Sequence, residues 1–396
     1  MLIITRLGCN LSPLLFSIFI DRLGDELNGK DLGLPLGNLL VGGIFFADDM
    51  VLIGKNKKSL DQLMNITRTY FFTHRLQLSE EKSKVMMYDA STGSTKFEGN
   101  HQMPSISLDN VATFKYLGIR LSTAPYRFFR CHNEHMKATA NKYLQSVLSL
   151  VKSGPDRASL AYTLWVNCAL PAILYGCEVI PVNQDTIDTI ERCQARIGKF
   201  LLQIPSSSSN AAVHIDAGLR PVWSVIAEKV VTFASRLLDK PTDYWARIAL
   251  VENIEMGSGS SYTKYLNKWK TGINGYGVET SVVRKNALHA AINSVLKLQL
   301  DTSKTTFAMN APLHREAWFH PKRWVSDSAI SKIFAEFRVC NASLGNRGPT
   351  KDGRFFKLCP LCLRMNITAL NNEVHMLFDC PFMAQYRNQC EIGRFK

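Results

Sequence analysis

The 396-residue sequence holds no apolar run long enough to cross a bilayer. Its nearest approach, Leu11 to Ile20, falls well short of the roughly 20 residues a spanning helix needs. A cleavable leader would carry a basic stretch before such a run and small residues after it. Asp21 and Arg22 follow instead. The run is therefore expected to be a buried helix of a folded domain, in an intracellular chain (nucleus and cytoplasm) with no membrane partner. Low-complexity tracts and short repeats are also missing, which leaves folded domains rather than a repeat array. Acids are in deficit, 33 Asp and Glu against 47 Lys and Arg, for a net charge of +14. A basic globular chain often meets a polyanion, and nucleic acid is the usual one; the plainer alternative is a soluble protein that happens to be basic. No disulfide framework is visible: six of the ten cysteines stand singly, as small buried apolar residues do in a reducing compartment.

What is present is a sizeable apolar fraction, 46%, in two patterns. Up to about Leu121 the pattern mixes α and β. Leu14 to Leu27 fits an apolar-faced helix with Ser12-Pro13 as its cap and first turn. Leu39 to Ala47 and Met50 to Ile53 read as two strands around Asp48-Asp49, joined by a tight turn. Ser59 to Phe72 reads as a helix, and Val85 to Tyr88 and Tyr116 to Leu121 as further strands. Beyond that, Met136 to Val151, Ser159 to Ala169, Thr186 to Leu202 and Trp223 to Leu238 all carry helical spacing. Ser206 to Asn210 reads as a loop, and residues 239–335 as more helical segments with a Gly-rich stretch around Gly272 to Gly277.

Asp48-Asp49 is the most informative local feature. Two adjacent carboxylates at a rigid, exposed hairpin tip repel one another unless a cation sits there. A hard divalent ion such as Mg²⁺ takes such oxygen ligands and supports two-metal phosphoryl transfer. The competing reading is an ordinary polar turn, although a usual hairpin would prefer Asn-Gly or Asp-Gly.

The neighbouring segments decide between them. Phe46-Ala47-Asp48-Asp49 resembles the aromatic-x-Asp-Asp box of reverse transcriptases. Ahead of it, Gly8-Cys9-Asn10-Leu11-Ser12-Pro13-Leu14-Leu15-Phe16 is similar to that family's Gly-x-x-Leu-Ser-Pro-x-Leu-Phe block. After it, Ser79-Glu80-Glu81-Lys82-Ser83-Lys84 resembles the Asn-x-x-Lys-Ser/Thr-Lys block, and Tyr116-Leu117-Gly118 matches the Tyr-Leu-Gly block. The four occur in the family's order and spacing. Leu170 to Glu178, Ile190 to Arg196 and Gly218-Leu219-Arg220-Pro221 resemble the helical region that follows the palm in non-LTR (LINE-type) retrotransposon reverse transcriptases. The resemblance implies RNA-directed DNA synthesis, with Asp48 and Asp49 holding Mg²⁺ and Lys82 helping pyrophosphate depart. Gly8, Ser12 and Pro13 would lie under the template and incoming nucleotide. Tyr116, Leu117 and Gly118 would support the primer end, and RNA and DNA would be the partners.

The chain also departs from the family. Leu7 stands where the family has Gln, and Ser79 where it has Asn. The first catalytic aspartate belongs upstream of the Leu-Ser-Pro block, yet none of Met1 to Gly8 is acidic, and the fingers are missing too. Two-metal chemistry needs that bridging ligand. The expectation is an amino-terminally truncated copy, inactive by itself.

Near the carboxyl end, Cys359-x2-Cys362-x12-His375-x4-Cys380 gives three thiolates and one imidazole, the ligand set of a closed structural Zn²⁺ site. The first pair can be presented by one tight turn and the second by a helical turn and its end. Val374 to Phe382 resembles the knuckle that follows LINE-type reverse transcriptases, and Cys390 is a spare thiol. Arg338, Arg347, Lys351, Arg354, Lys357 and Arg364 could meet phosphates, with Trp324, Phe355 and Phe356 available to stack on bases. A solvated basic face is the alternative.

The fold expected is α+β: a partial reverse-transcriptase palm (residues 1–125), a mostly helical thumb (126–235), a helical connecting region (236–335) and a small CCHC zinc knuckle (336–396). The rival to a polymerase fragment is a non-catalytic nucleic-acid binder that uses the thumb and knuckle.

Overall fold

A computed structural model describes residues 12–28, 30–88, 93–99, 103–124, 127–151, 157–206, 208, 210–274, 359–363, 365, 367–369, 375 and 379–384. Two compact units are present. The first holds residues 1–135, 176–181 and 230–268; the second holds 136–175, 182–229 and 269–396.

The described part of the first unit begins with two helices and four two-stranded antiparallel sheets. Helix α1 (Ser12–Asn28) carries the apolar run read from the sequence. It buries Ile20, Leu23 and Leu27 against Leu63 and Tyr70 of α2 (Lys57–His74). The limits of α2 are set by its caps. The Asn56 side chain accepts from the Ser59 amide at 2.9 Å at the start, and Arg75 turns left-handed (φ 55°) at the end. The Tyr70 hydroxyl donates to the Phe19 carbonyl at 2.7 Å and ties the two helices together again.

The apolar stretch from Leu39 does not form one strand. It is divided into β2 (Leu39–Val41), paired with β1 (Leu34–Leu36), and β3 (Gly43–Phe46), paired with β4 (Asp49–Leu52). The division comes from Asn28 at the end of α1. Its side-chain oxygen accepts from the Gly42 and Gly43 amides at 2.8 and 2.9 Å, and its side-chain nitrogen donates to the Gly43 carbonyl at 3.2 Å. Only glycine fits at position 42, where a Cβ would lie 2.5 Å from the Leu27 carbonyl oxygen.

Two more hairpins follow: β5 (Gly93–Phe97) with β6 (Ile106–Asn110), and β7 (Thr113–Tyr116) with β8 (Ile119–Ser122). Val85 to Tyr88, expected as a strand, contributes only one parallel bridge, Val85 to Asn110. Val85 packs with Met64, Phe97, Ile106 and Leu108 in a second small core. The segment Tyr116 to Leu121, also expected as a single strand, turns at Leu117-Gly118. Helix α9 (Trp245–Glu255) and the start of α10 (Ser261–Asn274) belong to this unit too.

The second unit is helical across its described residues. After α3 (Arg130–Leu150) and α4 (Arg157–Leu164), the chain widens into a π turn at Trp165–Ala169 and continues as α5 (Leu170–Ile173). Helix α6 (Gln184–Leu202) packs against both α4 and α7 (Asn210–Ala217), and α8 (Val222–Leu238) follows. Trp165 is fully buried, and its ring nitrogen donates to the Gln194 side chain at 3.2 Å. Gln194 in turn donates to the Arg220 carbonyl at 2.7 Å. Glu191 accepts from the Val222 amide at 2.7 Å and pairs with buried His214 at 2.5 Å, while Arg220 pairs with Glu228 at 2.7 Å. These contacts explain why Ile190 to Arg196 and Gly218 to Pro221 stand out in the sequence: they lock α6 to α7 and α8. No described helix is long and apolar enough to cross a membrane.

Candidate active site and metal centre

Asp48 and Asp49 lie where the sequence places them, at the tip of the β3–β4 hairpin. Phe46 pairs with Asp49, so Ala47 and Asp48 form a two-residue turn. Ala47 has φ 53°, a left-handed conformation that costs a residue with a Cβ about 1–2 kcal/mol. Both carboxylates are exposed, and neither has an ion-pair partner among the described residues. The hairpin is not free to swing. Asn28 clamps its base to α1, and the Ile53 amide donates to the Gly42 carbonyl at 2.9 Å. The helix of the Leu-Ser-Pro block thus carries the acidic hairpin.

Ser12 and Pro13 form the first turn of α1, while Gly8 lies outside the described residues. Lys82 is exposed in the turn after α2. That turn is held by the Ser83 amide and hydroxyl, both donating to the Ser79 carbonyl, at 3.0 and 2.7 Å. Ser79, standing in the family's Asn position, therefore uses its backbone to shape the lysine loop. Lys84, two residues on, is paired with Asp109 at 2.8 Å and pins the loop to β6.

Tyr116, Leu117 and Gly118 form the tip of the β7–β8 hairpin. Both turn residues have positive φ, 45° at Leu117 and 84° at Gly118, as a two-residue type I′ turn requires. The Tyr116 hydroxyl is buried and has no hydrogen-bond partner among the described residues. Burial, followed by the Asp49 carboxylate, pushes its phenol above the ordinary tyrosine value. The two hairpin tips are therefore electrostatic neighbours, a relation between Tyr116 and Asp49 that the sequence did not disclose.

The second cluster lies in the other unit. The ligand atoms of Cys359, Cys362, His375 and Cys380 all fall within 4.8 Å of one another, and all four residues are buried. Cys362 Sγ lies 3.2 Å from His375 Nε2 and 3.7 Å from Cys380 Sγ. The backbone builds this arrangement in two pieces. The Met365 and Ile367 amides both donate to the Cys362 carbonyl, and the Cys359 amide donates to the Ala369 carbonyl at 2.8 Å, closing a turn around the first two thiols. The Cys380 amide donates to the His375 carbonyl at 2.6 Å, a wide helical turn that sets the second pair. Metal–sulfur bonds of about 2.3 Å give a tetrahedron with edges of about 3.8 Å, so the spacing fits a four-coordinate ion. Burial and the Cys380 and Cys359 sulfurs push Cys362 up to about 12. Cys359, although burial pushes it up, is held below the ordinary thiol value by the Cys362 and Leu361 amides and by the Cys362 and Cys380 side chains. Arg338, Arg347, Lys351, Arg354, Lys357, Arg364, Trp324, Phe355, Phe356 and Cys390 lie outside the described residues.

Comparison with known proteins agrees with the geometry of the first unit. Residues 3–121 match the family model described as reverse transcriptase (RNA-dependent DNA polymerase). The chain is similar to the retrovirus-related Pol polyprotein from type-1 retrotransposable element R2 of Popillia japonica, 23% identical over 224 residues. That match covers 54% of this chain and 35% of the relative. It is also similar to the retrovirus-related Pol polyprotein from type-2 retrotransposable element R2DM of Drosophila melanogaster, 29% identical over 126 residues. There the match covers 29% of this chain and 11% of the relative. The chain thus spans about a third or less of the length of these relatives. All four sequence boxes fall within the span that matches the reverse-transcriptase family model.

Proposed function

We propose that this chain is the part of an RNA-directed DNA polymerase that holds the catalytic carboxylate hairpin, the primer-supporting hairpin and a zinc-stabilised carboxyl-terminal knuckle. The observation that carries the reading is the pair of strained hairpin tips, Asp48-Asp49 beside Tyr116-Leu117-Gly118, inside the span that matches the reverse-transcriptase family. Asp48 and Asp49 would hold Mg²⁺, which when bound neutralises charge on the attacking and leaving oxygens of a phosphoryl transfer. Two unpaired, exposed carboxylates and an orphaned buried hydroxyl beside them suit a hard cation and its waters. The turn carrying Lys82 leaves its ammonium exposed, and that charge would assist the departing pyrophosphate. Tyr116-Leu117-Gly118 would steady the primer end. Cys359, Cys362, His375 and Cys380 would hold one structural Zn²⁺, since four protein ligands leave no position for a reacting water.

Two carboxylates do not complete a two-metal site, and residues 1–8 add none. The 396-residue polypeptide by itself is therefore expected not to extend a primed RNA template with Mg²⁺ and deoxynucleotides. Supplying an aspartate-bearing palm strand and fingers as an amino-terminal fusion should restore extension that disappears in Asp48→Ala. Robust, Asp48-dependent extension by the unfused polypeptide would overturn the incomplete-palm reading. Fusion activity that survives Asp48→Ala would overturn the assignment of the hairpin. A second reading, a non-catalytic nucleic-acid binder, is favoured by the net charge of +14 and predicts binding that is indifferent to Asp48.

A further inference from the structure

The β7–β8 hairpin has two faces of different character. Phe114, Tyr116, Ile119 and Leu121 share one; Lys115 and Arg120 stand directly opposite each other on the other. Both cations are exposed. Like charges in direct cross-strand register repel and weaken a hairpin, where an acid in either place would strengthen it. Neither cation has an ion-pair partner among the described residues. The backbone beneath them is fixed. The Arg120 amide donates to His132 Nδ1 at 3.3 Å, and the Cys131 thiol donates to the Arg120 carbonyl at 3.2 Å. The Ser122 amide donates to the Phe128 carbonyl at 3.0 Å. The segment Arg127-Phe128-Phe129-Arg130 therefore runs beside β8. It brings two more exposed arginines, Arg127 and Arg130, which also lack ion-pair partners among the described residues. Burial, followed by Arg120 and Lys115, holds the His135 imidazole below its ordinary value, so both charges bear on the start of α3.

A phosphate answers this arrangement. Its oxygens accept charge-assisted hydrogen bonds from a guanidinium and an ammonium at once, and its negative charge turns their repulsion into a bridge. We propose that Lys115 and Arg120 form a phosphate clamp for the backbone of a nucleic-acid strand, extended along the chain by Arg127 and Arg130. Four cations spread over a hairpin and the segment beside it suit successive phosphates of a polymer better than one free ion. The proposal rests on the reading of the chain as a nucleic-acid polymerase segment. It adds a contact on a face of the hairpin that Tyr116 does not share. There the strand would be held by its charge, which sets its position without reading its bases.

The test uses the full 396-residue chain, loaded with zinc, and a fluorescein-labelled single-stranded DNA, followed by anisotropy over a range of salt. Lys115→Glu places an acid opposite Arg120, so thermal unfolding without DNA should be no lower than wild type. Binding at low salt should nevertheless weaken roughly tenfold or more, as charge-assisted contacts to phosphate are lost. Lys115→Gln and Arg120→Gln should each reduce the slope of log affinity against log salt by about 0.7. Lys96→Gln, at an exposed lysine of β5 in another hairpin, should leave that slope unchanged. Lys115→Glu that binds as tightly as wild type would overturn the clamp and leave nucleic-acid binding elsewhere in the chain standing. An equal loss of slope in Lys96→Gln would overturn it too, by showing a diffuse effect of charge. Lys115→Glu that unfolds several degrees lower would reveal a structural partner for Lys115 and also count against the clamp. Displacement of the strand by inorganic phosphate at constant ionic strength would overturn the choice of partner. A wild-type chain that binds no strand at low salt would overturn the nucleic-acid reading, and this inference with it.

Discussion

Replacing Asn28 by alanine should loosen the base of the acidic hairpin more than any exposed substitution on the hairpin itself. The Asn28 side chain makes three hydrogen bonds, at 2.8, 2.9 and 3.2 Å, to the amides of Gly42 and Gly43 and the Gly43 carbonyl. A net contribution of about 1 kcal/mol per bond gives about 3 kcal/mol. Asn28 is half-buried, so water can enter the space left by the side chain and recover part of this; a loss of about 2–3 kcal/mol is the working figure. At about 1.4 kcal/mol per factor of ten, that is roughly a 30- to 150-fold loss of protection against amide hydrogen exchange. Mass spectrometry on the peptide spanning residues 39–53 would read it, with peptides from α6 as an internal reference. Asn28→Asp keeps an oxygen for the two amides but loses the donor to Gly43, and should fall between. Protection within twofold of wild type in Asn28→Ala would refute the clamp. The break between β2 and β3 would then have to come from Gly42 alone.

Zinc should be found at one per chain, lost in Cys359→Ser or His375→Ala and kept in Cys390→Ser; elemental analysis decides, and zinc retained in the first two variants would mean that the ligands are wrong. Nucleic-acid binding should need no marked sequence and should weaken steeply between low and moderate salt as counterions are released, read by fluorescence anisotropy on a labelled single strand. Binding that ignores salt would remove the electrostatic case.

The acidic hairpin was legible because two short apolar strands around a polar pair form a local signal. The thiol–imidazole cluster was legible for the same reason, its ligand spacing being written into two short segments. What was not legible depended on contacts from elsewhere. Gly42-Gly43 in the run from Leu39 to Ala47 is a sequence signal for a break, but the contact that holds the break, Asn28 from the end of α1, is distant in the chain and could not be read locally. Tyr116 to Leu121 read as one strand because leucine is a poor marker for a left-handed turn; only Gly118 hinted at it. The β1–β2 hairpin does carry a local signal, Gly37-Asn38 between apolar residues. His214, Glu191, Gln194 and Arg220 are scattered along the chain, and only folding brings them into one network.

The strained residues bear on whether the two hairpins are functional or merely ordinary turns. Four non-glycine residues have positive φ among the described residues: Ala47, Arg75, Leu117 and Gln203. Arg75 and Gln203 end helices α2 and α6, where a left-handed residue satisfies two carbonyls and needs no further cause. Ala47 and Leu117 cap nothing. Each occupies a turn position that glycine or asparagine would fill at lower cost, and the two sit at the tips of the two hairpins that the family resemblance marks. Strain without a capping role, at both tips and nowhere else among the described residues, fits turns kept for where they place their neighbours. A cation held by Asp48 and Asp49 needs its oxygens fixed to within about half an ångström. A two-residue turn clamped at its base by the Asn28 side chain fixes the backbone from which both carboxylates project.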